Sequence, residues 1–348
     1  MKLVLLPDAQ FQDDAAVEQA ILEPVARVEM FKAGDTAAIP IELWRTCDAV
    51  LLWHVLPMDG RILDVMERCR VIVRAGVGYD SVDIAACGAR GIPVCNVPDY
   101  GTSEVADHAI ALMLALRRGV VRYHDAVVSD PVANWDVPQS PLIPRLRGRT
   151  FALLGMGRIG TATARRAAAF GMRVVFYDPY LPDGAELGLG YERAETLEEL
   201  LRQADVLSLH APLTAETRHI IDAAALAAMK PSAILVNTAR GGLVDLDALT
   251  TALREDRLAG AALDVLPEEP PVHGHPLLDA LRARAPWTVG RVVVTPHAAW
   301  YSQSSYIDMR SKAARTIREV LEGKPPRNCV NRALLRPARL SAAAGRAS

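Results

Sequence analysis

The fold of this chain is decided by the stretch Thr150–Asp178, which reads TFALLGMGRIGTATARRAAAFGMRVVFYD. Its centre, Gly155–Gly160, is a G-x-G-x-x-G hexamer whose third glycine stands 18 residues before Asp178. Around the hexamer the apolar pattern predicts a strand, a helix and a second strand, at Phe151–Leu154, Thr161–Phe170 and Arg173–Tyr177. A glycine-rich turn between strand and helix, with an acidic residue ending the next strand, is typical of a βαβ unit that binds a dinucleotide.

Each glycine of the hexamer has a physical role in such a unit. Gly155 permits the tight turn, Gly157 lets the backbone approach a pyrophosphate, and Gly160 lets the helix pack closely on the strand. The N-terminus of the helix offers N–H groups and a partial positive charge to phosphates. Arg158 and Ile159 of the hexamer are also predicted cofactor contacts. The alternative is a βαβ unit that binds another nucleotide or none.

Asp178 indicates which dinucleotide is bound. Its carboxylate can accept hydrogen bonds from the hydroxyls of the adenosine ribose, and its charge would repel a 2′-phosphate. No arginine or lysine follows closely, because the next residues are Pro179, Tyr180 and Leu181. We therefore expect NAD rather than NADP as the cofactor.

The rest of the chain alternates strands and helices, which predicts α/β domains with parallel, doubly wound sheets. The other predicted strands are Leu3–Leu6, Ala49–Trp53, Val71–Arg74, Pro93–Asn96, Val206–His210, Ala233–Asn237, Gly260–Val265 and Val292–Thr295. The other predicted helices are Gly60–Arg68, Ser81–Ala89 with its cap at Asp80-Ser81, Ser103–Arg118 and Ser304–Leu321. The proline-rich stretch Val120–Arg149 is predicted to be an irregular arm, and residues 333–348 a disordered tail.

The helix predicted at Ser103–Arg118 is apolar on nearly all sides. Such a helix is typically buried between domains or at a subunit contact. Because the arm Val120–Arg149 that follows has no predicted fold of its own, we expect the two to form the interface of a homodimer.

The composition excludes several classes of protein. The 348 residues carry a net charge of -2, so no basic excess favours nucleic acid. The five cysteines are odd in number and form no C-x-x-C pair, which argues against a disulfide framework and a zinc site and indicates a reducing compartment. No apolar run approaches the roughly 18 residues that span a membrane. We expect a cytoplasmic protein with no metal, membrane or nucleic-acid partner.

Three ionisable residues follow three strands of the second series. Arg240, Glu269 and His297 come after the strands predicted at Ala233–Asn237, Gly260–Val265 and Val292–Thr295. Ligands of open α/β sheets bind outside the carboxyl ends of the strands, so these side chains are expected to converge beside the cofactor. Taken singly, each residue is more often a surface, turn or capping residue, and only their joint placement favours a site.

This set of residues fits the reduction of a 2-keto acid. Histidine can donate a proton to the carbonyl oxygen, and a carboxylate on its far ring nitrogen stabilises the imidazolium. A guanidinium fork can hold the two oxygens of the carboxylate and the carbonyl. We therefore expect transfer of a hydride between NAD(H) and the 2-position of a 2-hydroxy or 2-keto acid.

Several motifs resemble those of the D-isomer-specific 2-hydroxyacid dehydrogenase family. They are Gly155–Gly160, NTARGGLVD at 237–245, AALDV at 261–265 and TPH at 295–297. The segments RAGVGYD at 74–80, PHAAWYS at 296–302 and NCVN at 328–331 are similar to its C-terminal-binding-protein-like branch. The resemblance covers about residues 45 to 332. It implies a Rossmann-type NAD domain, about 100–297, inserted into a smaller flavodoxin-like substrate domain, about 1–99 plus 298–332, with the active site in the cleft.

The resemblance also implies residue roles. Arg240 would clamp the substrate, Glu269 would pair with the acid/base His297, and the backbone at Val77 and Gly78 would hold the substrate carboxylate. Arg74 would add a positive contact and Trp300 a pocket wall, although Arg74 could be a strand-end surface charge and Trp300 a core aromatic. Further cofactor contacts implied are Val77, Ala211, Pro212, Thr217, Thr238, Ala239, Asp264 and His297.

A function of another class must be weighed against the enzyme. Animal members of the similar branch act as NAD(H)-responsive corepressors that bind short peptides. Those proteins carry long flanking extensions that this sequence lacks, so we favour the enzyme. Oxidation of an unusual donor such as phosphite is a third alternative. The sequence does not identify the substrate.

Overall fold

The computed structural model describes residues 1–137 and 142–335, and its backbone contacts group into two compact units. One unit comprises Met1–Gly101 with the chain from Ser302 onward, and the other comprises Thr102–Tyr301. Residues 336–348 of the predicted tail lie outside the described residues. The first residues of that tail were predicted wrongly, because Arg332–Leu334 form a 3₁₀ turn.

Twelve strands occur in the described part of the chain. They are β1 (Lys2–Leu6), β2 (Ala26–Met30), β3 (Ala49–Leu52), β4 (Ile72–Arg74), β5 (Val94–Cys95), β6 (Thr150–Leu154), β7 (Arg173–Tyr177), β8 (Glu192–Arg193), β9 (Val206–Leu209), β10 (Ile234–Asn237), β11 (Gly260–Leu263) and β12 (Val292–Val294).

Thirteen α-helices accompany them in the same residues. They are α1 (Ala16–Leu22), α2 (Ile41–Thr46), α3 (Gly60–Val65), α4 (Ile84–Ala89), α5 (Thr102–Arg117), α6 (Val120–Ser129), α7 (Arg158–Ala169), α8 (Ala185–Leu189), α9 (Leu197–Gln203), α10 (Ala223–Ala228), α11 (Leu246–Arg254), α12 (Pro276–Arg282) and α13 (Gln303–Leu321). None of them is long and apolar enough to cross a membrane.

The first unit holds a five-stranded parallel sheet in the order β2-β1-β3-β4-β5. This 2-1-3-4-5 order is that of flavodoxin-like folds. The strand β3 is buried along its whole length, as expected of a central strand covered on both faces. The predicted flavodoxin-like sheet is confirmed.

The second unit holds a seven-stranded parallel sheet in the order β12-β11-β10-β9-β6-β7-β8. Counted from β6, the first six strands follow the 3-2-1-4-5-6 order of a Rossmann fold, and β12 adds a seventh strand. Alternate residues of β6 enter opposite cores: Leu154 packs with Leu207 on one face, and Phe151 packs with Val236 on the other. The strand order reverses between β6 and β9, and this is the point at which open α/β sheets bind ligands.

The burial of α5 has a different cause from the one predicted. Its residues Ile110, Met113 and Leu116 belong to the core cluster that contains Phe151 of β6. The helix therefore covers one face of its own sheet, and its apolar circumference gives no evidence of a subunit contact.

The predicted irregular arm is wrong for its first ten residues, which form α6. The prolines that suggested irregularity begin at Pro131, after the helix has ended, so none of them interrupts it. The N-cap of the helix is Gly119, whose φ of 63° lies in the left-handed region.

The observed starts of two helices differ from the predicted ones, and two strands were not predicted. The helix α4 begins at Ile84 rather than Ser81, because Asp83 is its N-cap and accepts a hydrogen bond from Ala86 N at 2.8 Å. The helix α7 begins at Arg158, so the third glycine of the hexamer lies in its first turn. The strands β2 and β8 were missed: β2 is a half-exposed edge strand with charged residues, and β8 has only two residues.

Candidate active site

The glycine hexamer forms a tightly packed turn at the carboxyl end of β6. Gly155 has a φ of 92°, and a Cβ there would lie 2.9 Å from Ala211 N. A Cβ on Gly160 would lie 2.3 Å from Gly155 O, whereas one on Gly157 would meet no atom within 4 Å. Gly155 and Gly160 thus permit close packing, and Gly157 leaves the N-terminus of α7 accessible to a ligand.

Asp178 stands one residue past β7 and is tied to the glycine turn. Its carboxylate accepts hydrogen bonds from Met156 N at 2.9 Å and from Tyr180 N at 3.0 Å. A carboxylate has lone pairs beyond these two, so the side chain can still accept from a ribose hydroxyl. The backbone contacts fix where that acceptor lies.

The structure also places an arginine at this turn that the local sequence did not indicate. Arg193 of β8 donates to the carbonyl oxygens of Asp178 and Leu181, both at 3.0 Å. Its guanidinium lies 3.9 Å from a carboxylate oxygen of Asp183 and 3.8 Å from one of Glu186. The positive charge near Asp178 is therefore balanced by neighbouring carboxylates.

Two further segments border the same edge of the sheet. After β9, the hydroxyl of Thr217 donates to Pro212 O at 2.6 Å and holds the loop that begins at Ala211. After β10, Thr238 is only 7% exposed, and its Oγ1 has no hydrogen-bond partner among the described residues. Ala239 N donates to Asn237 Oδ1 at 3.0 Å. A buried hydroxyl without a partner fits a site whose remaining hydrogen bond is made by a cofactor.

Two of the predicted site residues, His297 and Glu269, contact each other through their side chains. The Nδ1 atom of His297 lies 2.6 Å from Oε2 of Glu269, and Oε1 of Glu269 accepts from Leu266 N at 2.8 Å. Both side chains are about one-third exposed, at 31% and 32%. His297 has a φ of 53°, a conformation that non-glycine residues rarely adopt and that is often found at functional sites.

The charge on Glu269 is stabilised by its surroundings. Burial alone would raise the pKa of this carboxyl, but the hydrogen bond and charge of His297, Leu266 N and the charge of Arg240 together hold the pKa below its usual value. Glu269 is therefore a carboxylate at neutral pH. The charge of Arg240 thus acts electrostatically on Glu269, which is in direct contact with His297.

Gly241, which follows Arg240, allows a close backbone approach to the loop that carries Glu269. A Cβ on Gly241 would lie 1.9 Å from the carbonyl carbon of Leu266, in the loop that carries Glu269. The side chain of Asn237 donates to Arg240 O at 2.9 Å and fixes the turn after β10. The sequence contained Gly241 within a motif, but its spacing gave no sign of this contact.

Asp264 holds the turn that carries His297. It is 1% exposed, and its carboxylate accepts hydrogen bonds from Thr295 Oγ1 (2.6 Å), Ala298 N (2.9 Å) and Ala299 N (2.9 Å). Its carbonyl oxygen accepts from His297 N at 2.7 Å. The resemblance implies a cofactor contact for Asp264, and these bonds show in addition that its carboxylate holds the turn that carries His297.

His108 of α5 belongs to the same network and was not predicted as a site residue. Its Nε2 lies 3.1 Å from Thr295 Oγ1 and 3.5 Å from a carboxylate oxygen of Asp264. A histidine within an apolar helix carried no sequence signal for this role, because the contact joins positions 187 residues apart.

The predicted substrate contacts of the first unit lie at the end of β4. Arg74 is 8% exposed, which excludes a surface charge, and its Nη1 donates to Ala75 O at 3.0 Å. Gly76, with a φ of 147°, makes room for this side chain. Asn96 donates to Val77 O at 2.6 Å, next to Gly78.

Trp300 lies in the second unit and packs edge-on against Tyr301 at 5.7 Å. It is partly exposed, so it is not a fully buried core aromatic.

Comparison with known proteins identifies the family of the chain. The family model described as D-isomer specific 2-hydroxyacid dehydrogenase, NAD binding domain, matches residues 110–299. A glyoxylate reductase of Korarchaeum cryptofilum is 38% identical over 308 residues, which are 88% of this chain and 89% of that protein. This chain belongs to the D-isomer-specific 2-hydroxyacid dehydrogenase family.

Two other members extend the comparison. A D-3-phosphoglycerate dehydrogenase of Methanocaldococcus jannaschii is 38% identical over 311 residues, which are 89% of this chain but only 56% of that protein. The chain thus spans little more than half the length of that relative. A crystal structure of an NADPH-dependent glyoxylate/hydroxypyruvate reductase from Sinorhizobium meliloti, in complex with NADP and malonate, has a TM-score of 0.83 and 30% identity, covering 96% of this chain and 98% of that one.

As a member of this family, the protein is a 2-hydroxyacid dehydrogenase that uses a nicotinamide cofactor. The predicted family, enzyme class and nicotinamide cofactor are confirmed. The relatives are named as dehydrogenases and reductases, which gives no support to the corepressor alternative.

The hydrogen bonds of the Asp264 carboxylate predict that its substitution displaces the turn that carries His297. We expect Asp264→Asn to lower the free energy of unfolding by about 1–3 kcal/mol, because an amide donor then faces backbone donors. We expect kcat to fall by about 10²-fold, as for a misplaced catalytic group, with the Kd for NADH unchanged. Stopped-flow turnover and NADH fluorescence titration measure the two quantities.

The matched control is Asp247→Asn, whose carboxylate is 89% exposed and should leave both values at wild type. A rise in the Kd for NADH with an unchanged kcat would instead assign Asp264 to cofactor binding.

Proposed function

We propose that the protein interconverts a 2-keto acid and the corresponding D-2-hydroxy acid, with His297 as the acid/base, Glu269 as its partner and Arg240 as the substrate clamp. The observation that carries this proposal is the 2.6 Å contact between His297 Nδ1 and Glu269 Oε2 at the carboxyl ends of the strands. Substrate contacts at Arg74, Val77, Gly78 and Trp300 rest on the family resemblance.

The paired residues supply a proton at a defined atom. Because Nδ1 of His297 is engaged by Glu269, the exchangeable proton is carried on Nε2, which donates it to the carbonyl oxygen during reduction. The Glu269 carboxylate stabilises the imidazolium before that transfer and keeps the ring in one orientation. In the reverse direction the same Nε2 accepts the hydroxyl proton. When bound, the dihydronicotinamide supplies the hydride to C2.

Arg240 would orient the substrate. Its planar guanidinium can donate two parallel hydrogen bonds to a carboxylate oxygen and the adjacent keto oxygen. This grip also polarises the carbonyl as negative charge develops on its oxygen.

We propose NAD rather than NADP as the preferred cofactor. The carboxylate of Asp178 is held at the end of β7 by two backbone N–H groups, and a 2′-phosphate would meet its charge. The contacts at Gly157, Arg158, Ile159, Ala211, Pro212, Thr217, Thr238 and Ala239 belong to the same proposal.

The substrate is proposed to be a small 2-keto acid, because relatives are named for glyoxylate and hydroxypyruvate. A screen of NADH oxidation with glyoxylate, hydroxypyruvate, pyruvate and bulkier 2-keto acids tests the size limit. A cytoplasmic location is proposed from the five free cysteines.

We also propose a homodimer built on the second unit, through α6 and the residues after it. Val121 and Val128 stand seven residues apart on one face of α6 and are 38% and 70% exposed. Val132, Trp135 and Val137 follow, each at least 78% exposed. Contiguous exposed apolar residues mark association surfaces, and a second copy of the chain presents the same surface in return.

The acid/base role predicts the phenotype of His297→Ala. We expect kcat to fall by at least about 10²-fold while the Kd for NADH stays at its wild-type value, because general acid catalysis is worth that much and the histidine does not hold the nucleotide. His273→Ala, at a histidine whose side chain is 86% exposed, is the control and should be fully active. An unchanged kcat in His297→Ala would contradict the assignment.

The clamp is tested by Arg240→Lys. Lysine keeps the charge but loses the planar fork, so kcat/KM for a 2-keto acid should fall by about 10²-fold or more. The matching aldehyde, which lacks the carboxylate, should be a poor substrate of the wild type. Its kcat/KM should also fall less in Arg240→Lys than that of the 2-keto acid. The ratio of kcat/KM for the 2-keto acid to kcat/KM for the aldehyde is measured in the wild type and in Arg240→Lys. Arg257→Lys, at a surface arginine, is the control. A ratio that is the same in wild type and Arg240→Lys would place the clamp on another residue.

Cofactor preference is tested by Asp178→Ala. The wild type should favour NADH. In the variant the ratio of kcat/KM for NADH to kcat/KM for NADPH should fall by about 10–100-fold, which is the effect of losing one hydrogen bond to a charged group. Asp183→Ala removes a fully exposed acidic residue of the same turn and should leave the ratio unchanged. Equal use of both cofactors by the wild type would refute the proposal.

The interface is tested by Trp135→Asp. Light scattering at micromolar concentration should show a dimeric wild type and a weakened dimer in the variant, since a buried interfacial tryptophan is worth about 2 kcal/mol or more. Leu187→Asp changes an 83%-exposed leucine on α8 and should stay dimeric. A monomeric wild type would count against the dimer.

A further inference from the structure

Cys95 and Cys329 face each other at the edge of the five-stranded sheet. Cys95 ends β5, and Cys329 forms an isolated antiparallel bridge with it. The backbone hydrogen bonds flank the pair, from Val330 N to Val94 O (2.9 Å) and from Asn96 N to Asn328 O (3.4 Å). In such a non-hydrogen-bonded pair the Cα atoms are about 4.5 Å apart, with the side chains close together. That spacing lies within the range of roughly 4.4–6.8 Å found for disulfides.

The two thiols differ in exposure and acidity. Both are free, Cys95 is fully buried, and Cys329 is partly exposed. A hydrogen bond from the Cys95 thiol lowers the pKa of Cys329; burial opposes this, while Asn331 N–H and the charge of Arg332 add to it. The same contact raises the pKa of Cys95. Cys329 thus has the character of an attacking thiolate, and Cys95 that of a protonated partner behind it.

The other three cysteines lack this combination. Cys47, Cys69 and Cys87 are at most 4% exposed and lie in the core of the first unit. The hydrogen bond of Cys47 and burial raise the pKa of Cys69 well above its usual value, and burial raises the pKa of Cys87 to about 12. All three thiols are shielded from oxidants by burial, and Cys69 and Cys87 are poorly ionised.

We propose that Cys95 and Cys329 are a redox modification site that forms a reversible intramolecular disulfide on exposure to a small-molecule disulfide such as oxidised glutathione. The Cys329 thiolate attacks one sulfur of the oxidant, forming a mixed disulfide and releasing one thiolate. The Cys95 thiol loses its proton and attacks the Cys329 sulfur, and the second small thiolate leaves. Two protein thiols are oxidised, one external disulfide is reduced to two thiols, and the protons of the protein thiols pass to them.

The site is compatible with a reducing compartment, where disulfides are typically transient. It is also independent of the proposed substrate and of the roles proposed for His297 and Arg240, because both cysteines lie in the first unit.

The experiment uses the reduced full-length protein under native conditions. After incubation with oxidised glutathione and an acid quench, remaining thiols are alkylated in denaturant, and the digest is mapped by mass spectrometry without reduction. We expect one cross-linked peptide pair containing Cys95 and Cys329, lighter by two hydrogen atoms than the separate peptides. Cys47, Cys69 and Cys87 should be alkylated, and dithiothreitol should restore both thiols of the pair.

Matched variants separate the two roles. In Cys95→Ser the reaction should stop at a glutathione mixed disulfide on Cys329, and Cys95→Ala gives the same result if the serine variant folds poorly. In Cys329→Ser, Cys95 should stay unmodified, whereas Cys87→Ser should still form the bond. Circular dichroism confirms that each variant is folded. A wild-type protein that keeps a stable mixed disulfide on Cys329, pairs Cys47 with Cys69, or leaves both thiols unmodified would overturn the proposal.

Discussion

The geometry of the candidate site depends on one buried carboxylate, that of Asp264. Its charge is taken out of water at the end of β11, which is tolerated only because three donors surround it. Those donors belong to the turn after β12, so the bonds that stabilise the charge also fix the backbone of that turn. They hold His297 in a left-handed conformation that would otherwise cost about 1–3 kcal/mol. The direction of the imidazole is therefore set by the junction of two neighbouring strands.

The three ionisable residues of the candidate site could be predicted from sequence because their placement follows from parallel pairing. The strands β10, β11 and β12 are neighbours in register, with Asn237 beside Leu263 and Leu263 beside Val294. Residues that follow these strands must share one edge of the sheet, whatever the side chains. The details could not be predicted, since they depend on contacts between distant positions. His108 reaches Thr295 from a helix, Gly241 packs on Leu266, and Arg193 lies against the backbone of Asp178.

Where the predictions failed, local pattern and tertiary context disagreed. The apolar circumference of α5 was correctly recognised as buried, but a sheet with two faces supplies that burial within one unit. Prolines beyond residue 130 led to an irregular assignment for α6, although a proline that follows the end of a helix limits its length without disrupting it. Edge strands such as β2 carry charged residues on a half-exposed face, so hydrophobic periodicity does not reveal them.

The net charge of Arg240, Glu269 and His297 depends on whether His297 is protonated. That net charge affects how strongly an anionic ligand is attracted to the three residues. Glu269 is held ionised by its neighbours, and Arg240 carries a positive guanidinium. With a protonated His297 the three groups have a net charge of plus one, and with a neutral imidazole they are neutral. In the proposed reaction, the form with a protonated His297 therefore attracts an anionic 2-keto acid more strongly than the neutral form does. If His297 gives up its proton in the proposed reduction, the net charge of the three groups falls by one, and the anionic product is attracted less strongly than the anionic substrate was.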